Sequence, residues 1–103
     1  MEKSEPTDAP AARAAIEDLA RRLSIDAADV EFVRQEEVDW PDGSLGCPQP
    51  GMSYRQMVTN GIFIQLRVGD RLYNYHGGTN RPASLCTSKD EVLPEDLRGG
   101  PRV

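Results

Sequence analysis

Apolar residues near the start of the chain recur at helical spacing. Ala12, Ile16, Leu19, Ala20 and Leu23 fall at i, i+4, i+7, i+8 and i+11, which places them on one face of an amphipathic helix over residues 10–23. Thr7 or Asp8 can cap it, Pro10 suits its first turn, and Arg21 and Arg22 lie at the negative end of its dipole. Residues 24–29 (SIDAAD) read as a turn, with Asp26 a cap for one short helical turn. Over residues 30–40 the period changes to two, and Val30, Phe32, Val38 and Trp40 share parity among β-formers. Val33 breaks that alternation, so a bulge or two short strands is expected there.

Two dipeptides further on carry hairpin chemistry. Asn60-Gly61 separates residues 54–59 from 62–68, and Gly69-Asp70 separates 62–68 from 71–76. With both as two-residue turns, one face carries Met57, Ile62, Ile64, Leu66, Val68, Tyr73 and Tyr75 and forms the core against the helix. The other carries the rows Val58–Phe63–His76, Gln56–Gln65–Asn74 and Tyr54–Arg67–Leu72. That face is too apolar for bare solvent and too polar for a main core. The expected fold is α+β, one N-terminal helix on an antiparallel sheet of three or four strands, in the order α-β-loop-β-β-β.

Residues 40–51 (WPDGSLGCPQPG) follow neither period. They gather the only tryptophan, three prolines, three glycines and one of two cysteines, so they form neither helix nor interior strand. An irregular loop of this length is functional or disordered as a rule, and Trp40 and Leu45 are available for burial. The loop is expected to fold back over the mixed face, with Trp40, Leu45 and Pro48 covering Val58 and Phe63. Gln56, Gln65 and Asn74 would then satisfy its backbone groups.

Composition trims the ends. Only 38% of the 103 residues are apolar, so residues 1–9 are expected to be a disordered tail, 10–87 the domain, and 88–103 a flexible tail. The net charge of −5 disfavours nucleic acid, which needs a clustered basic surface. No stretch reaches the roughly 18–20 apolar residues of a membrane span. The N-terminus has no apolar signal core, so the chain as written reads as cytoplasmic, or as exported if a leader has been removed.

Cys47 and Cys86 are disulfide candidates. A bridge would close a loop of about 40 residues, a large share of the stability of so small a fold. It suits an oxidising compartment, with two buried thiols expected otherwise. A redox pair usually has its cysteines two apart, which is not the spacing here. His76, the only histidine, reads as an edge-of-sheet residue bonded to a loop carbonyl. Joined with Cys47 and Cys86 it makes an alternative thiol or metal site. Asp42 precedes Gly43 in a turn dipeptide and is expected to bond backbone amides two residues on. Ser44 lacks the elbow context of a catalytic serine. Glu36, Glu37 and Asp39 read as a solvated strand face, and the glycines form no phosphate cradle.

Trp40, Asp42, Ser44, Leu45, Gly46, Cys47, Pro48, Pro50, Gly51, Tyr54 and Gln56, followed by Tyr73, Tyr75, His76 and Cys86, carry a pattern W-x-D-x-S-L-G-C-P-x-P-G-x-x-Y … Y-x-Y-H … L-C. Over residues 14–86 it resembles a small bacterial family of unknown function. The resemblance implies an α+β domain, some members of which look exported or lipid-anchored, and no activity. The functional expectation is a non-enzymatic binding module without cofactor or metal, presenting loop 41–53 to a protein partner, inhibitor-like in one version. Its candidate binding residues are Trp40, Asp42, Ser44, Leu45, Cys47, Pro48, Gln49, Tyr54, Gln56 and His76.

Overall fold

The computed structural model describes residues 10–78 and 81–97. The expected caps Thr7 and Asp8 and the tail 1–9 lie outside the described residues. Helix α1 (Pro10–Leu23) buries Ala12, Ala15, Ile16, Leu19 and Ala20, the face given by the apolar spacing. It stops at Ser24, whose φ of 57° is left-handed. Ile25 N–H donates to Ala20 C=O at 3.0 Å and Ser24 N–H to Arg21 C=O at 3.2 Å, a pairing that usually has glycine at the left-handed position. Ser24→Gly is therefore expected to stabilise the protein by about 0.5–1 kcal/mol, read from a urea melt. Asp26 then caps a 3-10 turn (Ala27–Asp29) by accepting from Ala28 N–H.

Four strands follow, β1 (Glu31–Trp40), β2 (Thr59–Val68), β3 (Arg71–Gly78) and β4 (Arg81–Leu85), paired antiparallel in the order β1-β2-β3-β4. The α+β architecture and the element order are as the sequence predicts. Gly69-Asp70 is the expected turn, with Val68 opposite Arg71, Phe63 opposite His76 and Gln65 opposite Asn74. Two expectations fail together. Asn60-Gly61 is not a turn: Asn60 lies opposite Asp39, and Gly61 lies opposite Val38 on one side and Gly78 on the other. Residues 54–58 are not a strand, and the neighbour of β2 is β1.

The physical reason lies at Gly61. Its missing side chain lets the Trp40 indole lie across the strand, with Nε1–H donating to Gly77 C=O at 3.1 Å. A Cβ on Gly61 would stand 2.0 Å from that same oxygen. The glycine is there for close approach, not for a left-handed turn. Met57 and Val58, assigned to the two sheet faces by the hairpin, are instead exposed, and Tyr54 and Gln56 lie off the sheet. Strand β4, with Pro82 inside it, had no strand signal.

Strand β1 carries the expected bulge, its register shifting between Phe32 and Arg34. The extra residue moves the even-numbered positions from one sheet face to the other. Phe32 and Val30 pack with α1, Ile64, Leu66 and Tyr75 in the first core. Val38 and Trp40 join Leu45 and Phe63 in a second core on the opposite face. Shared parity thus survives as burial but not as a common face.

Inside the first core Tyr75 donates its hydroxyl to Asp18 at 2.7 Å, and Arg22 Nε–H donates to the same carboxylate oxygen at 2.6 Å. Burial alone would raise the Asp18 carboxyl, but hydrogen bonds from Arg22 and Tyr75, with the charges of Arg22 and Arg21, outweigh it and hold it below its ordinary value. Burial, then the bond to Asp18, push the Tyr75 phenol up. Asp18→Ala strands a buried hydroxyl and is expected to cost about 1–3 kcal/mol at neutral pH. A depressed carboxyl adds stability above its unfolded value, which is lost as pH falls through the folded one. The gap between wild type and variant should therefore narrow below about pH 4 in urea melts.

Residues 88–97, expected within the flexible tail, return across the second face. Val92 N–H donates to Gly46 C=O at 2.8 Å, Leu93 packs on the second core, and Pro94 is buried at the start of α2 (Pro94–Leu97). Three apolar residues in a charged run were enough. The remainder of that tail, 98–103, lies outside the described residues.

Candidate functional site

The loop between β1 and β2 divides at Cys47. Its first half is built into the second core. Asp42 accepts from Ser44 N–H at 2.9 Å and from the Ser44 hydroxyl at 2.6 Å, the turn its sequence predicts. The Ser44 hydroxyl, then its amide, hold the Asp42 carboxyl below its ordinary value. Leu45 and Gly46 follow with φ of 59° and 77°. This curl drops Leu45 into the core and sets Gly46 on the face of Trp40, where a Cβ would meet the ring at 2.5 Å.

His76 closes the arrangement from β3. Its ring stacks on Trp40 with centroids 4.7 Å apart and meets Phe63 edge-on at 5.4 Å. Nδ1 lies 2.6 Å from Leu45 C=O, and Nε2 lies 2.6 Å from a Glu91 carboxylate oxygen. Both ring nitrogens are thus engaged, one by a loop carbonyl and one by a side chain from the run after β4. The loop carbonyl is as expected, but the edge-of-sheet position is not. β4, which carried no strand signal, makes β3 an interior strand, with Phe63 opposite His76 on one side and Ser84 of β4 on the other. Glu91 was not foreseeable, because it lies in the run assigned to a tail.

Cys47 and Cys86 form a disulfide, with Cα atoms 5.8 Å apart. This overturns the alternative Cys–Cys–His site. His76 Nε2 or Nδ1, Cys86 Sγ and a Glu91 oxygen do lie within 4.8 Å of one another. The Cys86 sulfur is bonded to Cys47, however, and a metal ligand would have to be a thiolate.

Past the bridge the loop turns outward. Gly51, with φ of 78°, follows Pro50 in a turn closed by Met52 N–H donating to Gln49 C=O at 3.2 Å. The Tyr54 hydroxyl accepts from Gln49 N–H at 3.1 Å, and Arg55 C=O accepts from Gly43 N–H at 2.9 Å. The backbone is therefore tied to the first half while its apolar side chains face out. Met52, Met57 and Val58 are 61%, 53% and 68% exposed.

The expected site residues sort accordingly. Trp40, Leu45 and His76 are buried together; Asp42, Ser44, Cys47, Pro48 and Tyr54 are half-buried; Gln49 and Gln56 are exposed. The amides do not serve the loop as expected: Gln65 donates to Asn74 at 2.9 Å, and Asn74 to Glu91 at 3.2 Å. Ser44, Cys47, Gln49, Tyr54, Arg81 and Ser84 share an open cleft of about 200 Å³. Arg81, which the sequence did not single out, donates to Gly43 C=O at 2.9 Å across it.

A family model described as a domain of unknown function (DUF8738) matches residues 12–86, from the first buried residue of α1 to the second cysteine of the bridge. No curated protein and no solved structure matches the chain.

Proposed function

The chain belongs to this family of domains of unknown function, and from that premise we propose that it is a non-enzymatic binding module. The segment from Pro48 to Val58, the outer part of loop 41–53 and its continuation, is what a protein partner meets. One observation carries this reading: Met52, Met57 and Val58 stand exposed on a segment whose backbone is anchored at the disulfide, at Gly43 and at β2. Several large apolar side chains exposed on one short segment are a feature of contact sites, methionine adapts to a partner's relief, and a pre-anchored backbone loses little entropy on binding.

The chemistry at His76 favours binding over catalysis. Its two nitrogens are engaged by Leu45 and Glu91, and the Ser44 hydroxyl is engaged by Asp42, so these two side chains are not poised as a nucleophile–base pair. The disulfide favours an oxidising compartment for the encounter. No helix among the described residues is long and apolar enough to cross a membrane.

The test immobilises the full chain, bridge intact, and exposes it to an extract of the cells that make it. Wild type is expected to retain a protein that Met57→Asp/Val58→Asp binds at least roughly tenfold more weakly. Unfolding free energy should change by less than about 0.5 kcal/mol, as for other exposed substitutions. Equal capture by the variant overturns the reading. The inhibitor-like version predicts slower cleavage by one class of protease, and no protection from any class removes it.

A further inference from the structure

The cleft between the contact segment and β4 holds hydrogen-bond donors with nothing to receive them. We propose that it binds one carboxylate, with Arg81 as the charged anchor and the Tyr54 and Ser84 hydroxyls as neutral donors. This site deepens the binding-module reading and rests on it for the source of the carboxylate, an acidic side chain or the chain terminus of a protein partner.

Exposed arginines usually sweep through solvent and lose rotamer entropy when a ligand fixes them. Arg81 is fixed beforehand. Its backbone pairs opposite Gly78 of β3, and its guanidinium donates to Gly43 C=O at 2.9 Å. Gly78 leaves room for the side chain to lie against bare backbone, since a Cβ there would stand 3.9 Å from Arg81 Nε. The guanidinium has further N–H donors beyond the one that Gly43 takes. Among the described residues Arg21, Arg22, Arg34 and Arg67 are spent on carboxylates, and Arg81 is paired with none.

The neutral donors are placed as firmly. The Tyr54 hydroxyl accepts from Gln49 N–H at 3.1 Å, which fixes its oxygen and leaves its own proton without an acceptor among the described residues. Ser84 stands opposite His76 on β4, and its hydroxyl has no partner among the described residues. Ser44 contributes no donor, because its hydroxyl is given to Asp42 at 2.6 Å. No acidic side chain lines the cleft. Asp42 turns Oδ1 to Ser44, and Glu91, bonded to the His76 ring, lines a different hollow. The cleft is thus a donor-rich, locally positive recess on a chain of net charge −5.

Charge and size select the ligand. One cation with neutral donors matches a single negative charge, and the planar guanidinium fits the two oxygens of a carboxylate. A phosphate monoester would bring a second charge that no lining residue neutralises. The volume of about 200 Å³ falls below the roughly 300–1,000 Å³ of sites that enclose whole small molecules. It admits the end of a side chain or of a polypeptide. Gln49 and Tyr54 belong to the contact segment, so the cleft borders the surface that the apolar side chains present. The apolar groups would supply affinity there and the charged contact register.

The isotope-labelled full chain, bridge intact, is titrated at constant ionic strength and followed by NMR at Arg81 Nε–H and the Gln49 and Ser84 amides. One probe is N-acetylglutamate α-amide, whose only carboxylate is on the side chain; the other is N-acetylglycine, whose only carboxylate is terminal. At least one is expected to give saturable shifts with a Kd of roughly millimolar order, and the better of the two identifies the source. Arg81→Gln should weaken that binding at least roughly tenfold, and Arg81→Lys, which keeps the charge without the fork, by about threefold. Tyr54→Phe and Ser84→Ala should each weaken it about threefold. No saturable shift from either acid, an equal response to N-acetylglutamine α-amide, or full binding by both Arg81 variants overturns the site. Tighter binding of inorganic phosphate than of either acid overturns the assignment to a carboxylate. The probes need no partner, so the two readings fail separately. Carboxylate binding without capture of any protein removes the module reading alone, and capture without carboxylate binding removes this site alone.

Discussion

Replacing Cys47 and Cys86 together by serine is expected to lower the unfolding free energy by about 4 kcal/mol. The bridge spans 39 residues of sequence and encloses β2, β3 and β4, and the chain-entropy relation assigns that value to a loop of about 40. For a domain of this size the loss corresponds to a melting temperature lower by roughly 15–30 °C. Mesophile domains melt at roughly 45–65 °C, so the variant should still fold in the cold, its second core held by the hydrogen bonds around Gly46 and His76. Thermal and urea melts of the double variant, beside those of reduced wild type, measure this. A loss under about 1 kcal/mol would mean that the unfolded chain is already constrained without the bridge.

Gly61→Ala, a single methyl on a strand, is expected to cost about 3 kcal/mol or more. The new Cβ would stand 2.0 Å from Gly77 C=O and 2.9 Å from Trp40 Nε1. One neighbour is backbone and the other a fully buried ring, so neither yields without parting β2 from β3 or breaking the Trp40–Gly77 hydrogen bond. Gly61 has no left-handed φ, so the penalty is steric. Gly69→Ala makes the control: its Cβ meets nothing within 4 Å, and its cost should stop at about 1–2 kcal/mol for a φ of 63°. Urea melts of the two variants, with Trp40 emission as probe, separate the cases, and equal costs would discount the packing of Trp40 across Gly61.

That contrast shows why part of the fold was legible and part was not. Gly69-Asp70 and Asn60-Gly61 are alike as local chemistry, and both satisfy the rule for a tight turn. Only the arrival of Trp40 from 20 residues earlier decides between them, and no local pattern encodes it. Helix α1, the Val33 bulge and the β2–β3 register were readable because each rests on periodicity within one or two neighbouring segments. The loop's burial was readable from Trp40 and Leu45, and its Asp42 turn from a dipeptide. Glu91 and Leu93 escaped because their partners, His76 and the Trp40 core, are long-range, while the charge around them resembles a tail. The outward face of Met52, Met57 and Val58 was hidden by the same wrong hairpin, which had placed residues 57 and 58 in the sheet.

The sheet's two borders have a bearing on solubility. The borders are β1 and β4, the strands whose outer backbone groups could template another molecule. β1 would be a ten-residue ribbon, long enough to seed growth from chain to chain. Its bulge at Val33 twists that ribbon out of line, and Glu31, Arg34, Glu36, Glu37 and Asp39 set charge along it. β4 is only five residues and carries Pro82, which lacks an amide donor. The irregularity that splits one strand between two cores thus also works against edge-to-edge stacking into fibres.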